Sequence, residues 1–224
     1  MSPSMDALDL LYTTRAMRRL APDPIDDETI APLLDAALRG PSGGNRMRVR
    51  FVVVRDTETK KSLQTLYADG MKQLYSLPAP PPDPDDPAGP PDPAAVKTAP
   101  WLNEHLAEVP VLVFVLGLPG FGSTSFPIAW QLCLAARAYG LGSTFTNVLR
   151  FHQAETDTLL GIPEDSDWEF HAMIPIGKPL GKWGLATRPP VNRFTFNETF
   201  GQPVDWTVDE PHWTDPGDLN DAHG

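Results

Sequence analysis

Cysteine is almost missing from this chain. Its 224 residues include one, Cys133, so no intrachain disulfide framework is available. The flanking Leu132 and Leu134 mark that cysteine as a small buried hydrophobe, a poor place for a reactive thiolate. No apolar run approaches the ~18 residues of a membrane span. The opening Met1-Ser-Pro-Ser-Met-Asp6 lacks the basic and apolar regions of a secretory signal. These absences make a cytoplasmic protein with no membrane partner the expectation. Positive charge is scarce as well: 18 Lys and Arg face 29 Asp and Glu, a net charge of −11. That argues against a broad nucleic-acid surface, which needs a basic stripe.

Familiar catalytic signatures are also wanting. Neither a Walker A loop nor Gly-x-Gly-x-x-Gly occurs, and Gly140-Leu-Gly142 is too short for a dinucleotide fingerprint. His105, His152, His171, His212 and His223 show no zinc spacing and read as surface or internally satisfied histidines, so no metal is expected. Nucleophilic catalysis finds little support, and no nucleophile elbow is expected.

What remains is ordered. Residues 4–12 read as a short helix capped by Ser4, with Leu8, Leu11 and Tyr12 on one stripe. Asp26 caps a second helix, in which Ile30, Leu33, Leu34, Ala37 and Leu38 repeat at helical spacing around Pro32. Gly40-Pro41-Ser42-Gly43-Gly44-Asn45 then leads into an alternating strand, with Arg46, Arg48 and Arg50 on one side and Met47, Val49 and Phe51 on the other. By itself this stretch has two readings. It is a turn between helix and strand, or a ligand loop whose glycines let the backbone approach a flat ring. Asp56 caps a third helix running to about residue 75. Residues 78–100, dense in proline and aspartate, are expected to be an irregular surface insertion, part of a lid or simply solvated. A short helix over 101–108 follows, then the apolar run 111–116, a strand buried on both faces. Residues 127–139 form a helix apolar nearly all round, either central or in a subunit interface, and Gly140 stops it. A short strand, a helix near 152–160 and a buried strand over 170–176 complete the core. Residues 191–206 read as an extended arm and 207–224 as an acidic tail. One domain over 1–224 accommodates all of this.

The basic residues cluster at Arg15, Arg18 and Arg19 and again at Arg46, Arg48 and Arg50, which suits a small anion better than a polymer. Arg15 and Arg18, three apart, can aim at one phosphate or can form a solvated basic turn.

In order, Thr13-Thr-Arg-Ala-Met-Arg-Arg-Leu20, Pro24-Ile-Asp-Asp-Glu28 and Gly40-Pro-Ser-Gly-Gly-Asn45 closely resemble the N-terminal half of the nitroreductase family of FMN flavoproteins. The run Ile128-Ala-Trp-Gln-Leu-Cys-Leu-Ala-Ala-Arg-Ala-Tyr-Gly-Leu-Gly142 resembles that family's central helix. Leu160-Gly-Ile-Pro163, Ile174-Pro-Ile-Gly177 and Pro179-Leu-Gly-Lys-Trp-Gly184 match its C-terminal signposts. The resemblance covers about residues 6–206, apart from the proline-rich insertion.

This resemblance implies an α+β fold, a central and mostly antiparallel sheet flanked by helices, in an intertwined homodimer with C-terminal arm exchange. It implies FMN as cofactor and NADH or NADPH as reductant, with hydride passing in ping-pong fashion to a nitroaromatic or quinone-type small-molecule acceptor. Arg15 and Arg18, with Ala16 and Met17, would hold the phosphate, and Lys182 and Arg188 would close on it from the C-terminal side. Pro41, Ser42, Gly43 and Asn45 would meet the ring bound mainly by the other subunit. Thr146, Asn147 and Val148 would offer a backbone N–H toward flavin N5. Ala16 stands where many members have serine, which removes a side-chain phosphate contact; Met47 and Val49 depart from the family's glutamine and tryptophan, and Arg46 or Arg48 is available in place of those two. Tyr67 and Phe126, with Tyr75 and Phe121 as further aromatics, could shape the acceptor site or pack in the core. The catalytic list is empty, because the flavin carries the chemistry. The alternatives are a low-turnover flavin-sequestering protein, or a relative with another flavin reaction such as dehalogenation, ring dehydrogenation or flavin fragmentation.

Overall fold

Continuity and alternation of apolar residues decide the layers. The computed structural model describes residues 5–78, 93–186 and 188–213. The unbroken apolar run becomes β2 (Val111–Gly117), buried along its whole length. Val111, Val113 and Val115 point to one face and Leu112, Phe114 and Leu116 to the other, so β2 belongs to two cores at once. It pairs antiparallel with β1 (Val49–Val54) on one side and β4 (Glu169–Gly177) on the other. The short β3 (Gly142–Ser143) pairs antiparallel with β4 at the edge, giving the order β1-β2-β4-β3.

Helices cover both faces. On the first lie α2 (Asp27–Ala37) and α5 (Gly122–Ala138), through Ile30, Leu33, Ile128, Leu132 and Ala136. On the second, α3 (Thr57–Ser76) brings Leu63, Tyr67 and Met71, and α4 (Pro93–His105) brings Leu102. Also on this side, a 3₁₀ turn (Val148–His152) leads into α6 (Gln153–Leu159). The helix α1 (Ala7–Thr13) packs near the end of α5. Asp26 and Asp56 cap α2 and α3 as expected, accepting from Thr29 N–H and Thr59 N–H at 2.8 Å. Gly140 stops α5 with φ of 73°.

Three expectations change. The cap of α1 is Asp6, which accepts from Leu8 N–H at 2.8 Å, and Ser4 lies outside the described residues. The proline-rich stretch is helical from Pro93 onward. Proline at the first helical position loses nothing, because that N–H has no intrahelical partner. Pro100 removes only one bond inside the helix. Residues 79–92 and 214–224, with most of the insertion, the end of the tail and His223, lie outside the described residues. Finally, α5 begins at Gly122, so Pro127 sits inside it rather than opening it.

Among the described residues beyond Gly184 there is little regular structure. A 3₁₀ turn (Val191–Phe194) and a Phe196–Pro203 bridge shape the arm, and Phe200 is 93% exposed. The arm then returns to α1: the Trp213 indole N–H donates to Asp9 Oδ1 at 2.6 Å, and its ring stacks on Tyr12 with centroids 6.1 Å apart.

Candidate functional site

Two glycines set the basic turn in place. The segment after α1 lies over the β3 edge, where the Met17 N–H donates to the Ser143 carbonyl at 2.8 Å. A Cβ on Gly142 would fall 2.8 Å from Leu20 and 2.9 Å from Met17, and one on Gly177 would fall 2.9 Å from Leu20. Both positions therefore admit only glycine without displacement. Leu20 then bridges Pro179, with Ala21 N–H donating to the Lys178 carbonyl and Leu180 N–H to the Arg19 carbonyl. This pairing carries Lys182 back to the turn, where Arg15 Nη2 donates to its carbonyl at 2.8 Å. Arg18 reaches the other way and donates to Thr98 Oγ1 of α4 at 3.3 Å. The backbone of Lys182, far off in sequence, is thus brought to the turn that carries Arg15 and Arg18.

Beyond β3 runs the turn 146–148. Thr146 is held by a two-way bridge to Met173, and its Oγ1 lies 3.3 Å from the Tyr67 hydroxyl. Arg18 adds its positive charge to the surroundings of Tyr67, whose pKa is pushed up chiefly by burial. The Thr146 N–H is spent on Met173, and that of Val148 faces Thr146 Oγ1 at 3.4 Å. Asn147 is exposed, and among the described residues its N–H donates to nothing. The arrangement therefore leaves the Asn147 backbone donor unspent, next to Thr146 and the Tyr67 hydroxyl on which the Arg18 charge acts.

The loop Gly40 to Asn45 stands apart. Gly40 packs on Ile128 of α5, whereas Thr13, at the start of the basic turn, touches Arg137 near that helix's end. The interval between Ile128 and Arg137 spans roughly 13 Å of helix. Gly44 and Asn45 take left-handed conformations with φ of 61° and 55°, and a Cβ on Gly43 or Gly44 would meet nothing within 4 Å. Pro41 is exposed, and Ser42 Oγ is buried without a hydrogen-bond partner. Asn45 and Met47 line a shallow cavity of about 400 Å³ with Leu38, Arg39 and Gly40. The letters Gly40-Pro41-Ser42-Gly43-Gly44 spell Gly-x-Ser-x-Gly, but here helix precedes and strand follows, the inverse of a nucleophile elbow. Arg48 lies over the Phe121 ring at 4.3 Å and Arg50 over Trp168 at 4.5 Å, so aromatic rings occupy these two arginines. Val49 is a core residue of β1.

The two proposed acceptor residues part company. Tyr67 is 4% exposed and packs in the second core. Phe126 is half-exposed on a cavity of about 480 Å³ shared with Arg150, Glu169 and His171. His171 is an unforeseen feature. A register shift between β2 and β4 makes room for it, and it bonds Ser125 Oγ at 2.5 Å and Glu169 Oε1 at 2.9 Å. Arg188 lines a larger cavity of about 740 Å³ with Tyr12, Thr14 and Trp130, between α1, α5 and the arm. Cys133 is buried, and burial pushes its thiol up to about 11. Thr98 and Arg137 also contribute to the basic region unannounced. A lone arginine in an otherwise uncharged helix was the signal available for the second.

This sheet, with helices on both faces and a basic turn against its edge strand, is the nitroreductase-like fold. The profile of the nitroreductase family matches residues 11–178, and the chain belongs to that family. It is 27% identical over 216 residues to an NADH dehydrogenase of Thermus thermophilus, covering 85% of this chain and 95% of that one. Among solved structures it is similar to the NADPH:FMN oxidoreductase of Vibrio harveyi complexed with NAD+. There the TM-score is 0.66 and the identity 18%, over 88% of this chain and 79% of that one. It is also similar to an oxidised iodotyrosine deiodinase bound to FMN and 3-iodo-L-tyrosine, with a TM-score of 0.63 and 23% identity, over 81% and 94% of the two chains. Among the described residues no helix is long and apolar enough to cross a membrane.

Proposed function

We propose that this chain is an FMN-dependent oxidoreductase that takes reducing equivalents from NADH or NADPH and passes them to a nitroaromatic or quinone-type acceptor, working as a homodimer. The observation that supports the reading is that the 178–182 segment brings Lys182 to Arg15, three residues from Arg18, whose charge acts on Tyr67 beside Thr146 and the exposed Asn147 N–H. A phosphate bearing close to two negative charges fits the three cations. A flat heterocycle fits the backbone donor beyond them. Bound FMN supplies the hydride chemistry, accepting from the nicotinamide and donating to the acceptor.

The chain's own part is binding and orientation. Arg15, Arg18 and Lys182 hold the phosphate, with Arg188 approaching from the arm. The Asn147 N–H orients the ring and favours charge that develops at its edge. Through Gly40 the loop 41–45 packs on α5 roughly 13 Å along the helix from the contact made by the basic turn, and in this reading it serves the site of a second copy. Its open glycines are free for that contact. Leu8, Leu11, Trp130, Phe194, Phe196 and Phe200 expose apolar surface on α1, α5 and the arm, which a second copy would cover. No side chain is assigned as an obligatory acid or base.

Purified protein tests this directly. A flavin band near ~450 nm, bleached by NAD(P)H and restored by menadione or a nitroaromatic without oxygen, is the expected result. Protein that neither carries nor takes up FMN would end the reading. Bound FMN that NAD(P)H fails to bleach would instead favour a flavin-sequestering role.

A further inference from the structure

Arg137 is the single charged residue of α5, and it is 1% exposed. Its Nε and Nη2 both donate to Thr13 Oγ1, at 3.3 and 3.2 Å. Its guanidinium carbon lies 4.1 Å from the centre of the Trp183 ring. Nη1 is buried and, among the described residues, bonds to nothing. Asp9 is the carboxylate that acts on it, and one oxygen of Asp9 is already taken by the Trp213 indole. A buried guanidinium with an unused donor is costly, and apolar packing alone would be better served by a leucine or methionine.

The two groups it touches explain its place. Thr13 leads directly into the turn that carries Arg15 and Arg18. Trp183 follows Lys182, whose carbonyl receives Arg15. The basic turn and the segment carrying Lys182 therefore both rest on one side chain. We infer that Arg137 is a positioning residue for the phosphate end of the cofactor: it ties the basic turn to the Lys182–Trp183 strap and adds a charge that solvent does not screen. Burial removes counter-ions from that charge, so it acts at longer range than a surface arginine. The inference rests on the FMN reading.

The test compares FMN with riboflavin, which lacks only the phosphate. Affinities of apo protein for both are measured by quenching of flavin fluorescence, for the wild type, Arg137→Met, Arg137→Lys and Thr13→Val. The wild type is expected to prefer FMN. Arg137→Met is expected to weaken FMN by about tenfold or more while changing riboflavin by less than about twofold. Arg137→Lys keeps the charge without the fork and should fall between. An unchanged FMN-to-riboflavin ratio, or a parallel loss of both ligands, overturns the inference, the second outcome marking a purely structural role. Should Arg137→Met not fold, Thr13→Val removes the tether at nearly equal volume, and an unchanged ratio in that variant is equally fatal. A wild type that binds neither flavin defeats the FMN reading itself. A wild type that prefers FMN alongside variants with the same ratio defeats only the role of Arg137.

Discussion

The basic turn and the Gly40–Asn45 loop, which the proposed function assigns to the two ends of one cofactor, are built in opposite ways. Residues 13–21 are fastened at many points: Met17 to β3, Arg19 to Leu180, Ala21 to Lys178, Arg15 to Lys182 and Thr13 to Arg137. Around Gly142 there is no room for one further carbon. The loop has open space around Gly43 and Gly44, two left-handed residues and a buried hydroxyl without a partner. A single chain thus preorganises the turn that, in the proposed function, grips a phosphate and leaves open the loop that would face the ring. Rigidity sits where charge must be held against water, and the open loop is what a shared, interfacial site requires.

Substitutions can break or sharpen that contrast. The largest effect is expected from Arg18→Ala or Arg15→Ala, each weakening FMN by about 10- to 100-fold in a titration. Asn45→Ala should weaken FMN and riboflavin alike if, as proposed, the loop meets the ring of a second copy's flavin. Equal losses for FMN and riboflavin in the arginine variants would erase the distinction between the two regions. Next comes Gly142→Val, which forces side chain into Leu20, Met17 and Pro179. A loss of about 1–3 kcal/mol in denaturant unfolding is expected, and wild-type stability would show that the turn is looser than its contacts imply. Gly44→Ala meets no atoms and carries only left-handed strain, so a cost of about 1 kcal/mol is expected, smaller than that of Gly142→Val.

The smallest effect involves the helix caps that feed the two regions. Asp26 caps α2, which ends at the loop, and Asp56 caps α3, which carries Tyr67. Hydrogen bonds from Thr29 hold the Asp26 carboxyl below its ordinary 3.8, and those from Thr59 do the same for Asp56. A depressed folded-state pKa means that this stabilisation is complete above 3.8 and is lost as pH falls through the lowered values. The melting temperature should therefore decline below that point. Asp26→Ala and Asp56→Ala should lower it slightly at neutral pH and flatten the acid limb. Variants that keep the wild-type acid limb would show that other carboxylates govern it.

Much of this was readable before any coordinates, because it is encoded locally. A run of apolar residues makes β2 a two-faced strand whatever surrounds it. Asp26 and Asp56 precede helical patterns and cap them, and Gly140 ends α5 because a left-handed residue must. Arg15, Arg18 and Lys182 could be named through family resemblance. Their approach, however, depends on Gly142 and Gly177 being small enough to let Leu20 lie against the sheet. Proline content misled over residues 93–100, where Pro93 occupies the one helical position that proline suits. The sequence alone determined most helices and strands, apart from the start of α4 and of α5, and that the positive charge is gathered in a few places. It could not determine that Tyr67 is core while Phe126 lines a cavity, that a register shift seats His171 against Ser125, or that Arg137 reaches Thr13 across 124 residues. Those facts came from tertiary structure, because burial and hydrogen-bond partners of distant residues depend on how the layers close, and no local period carries that information.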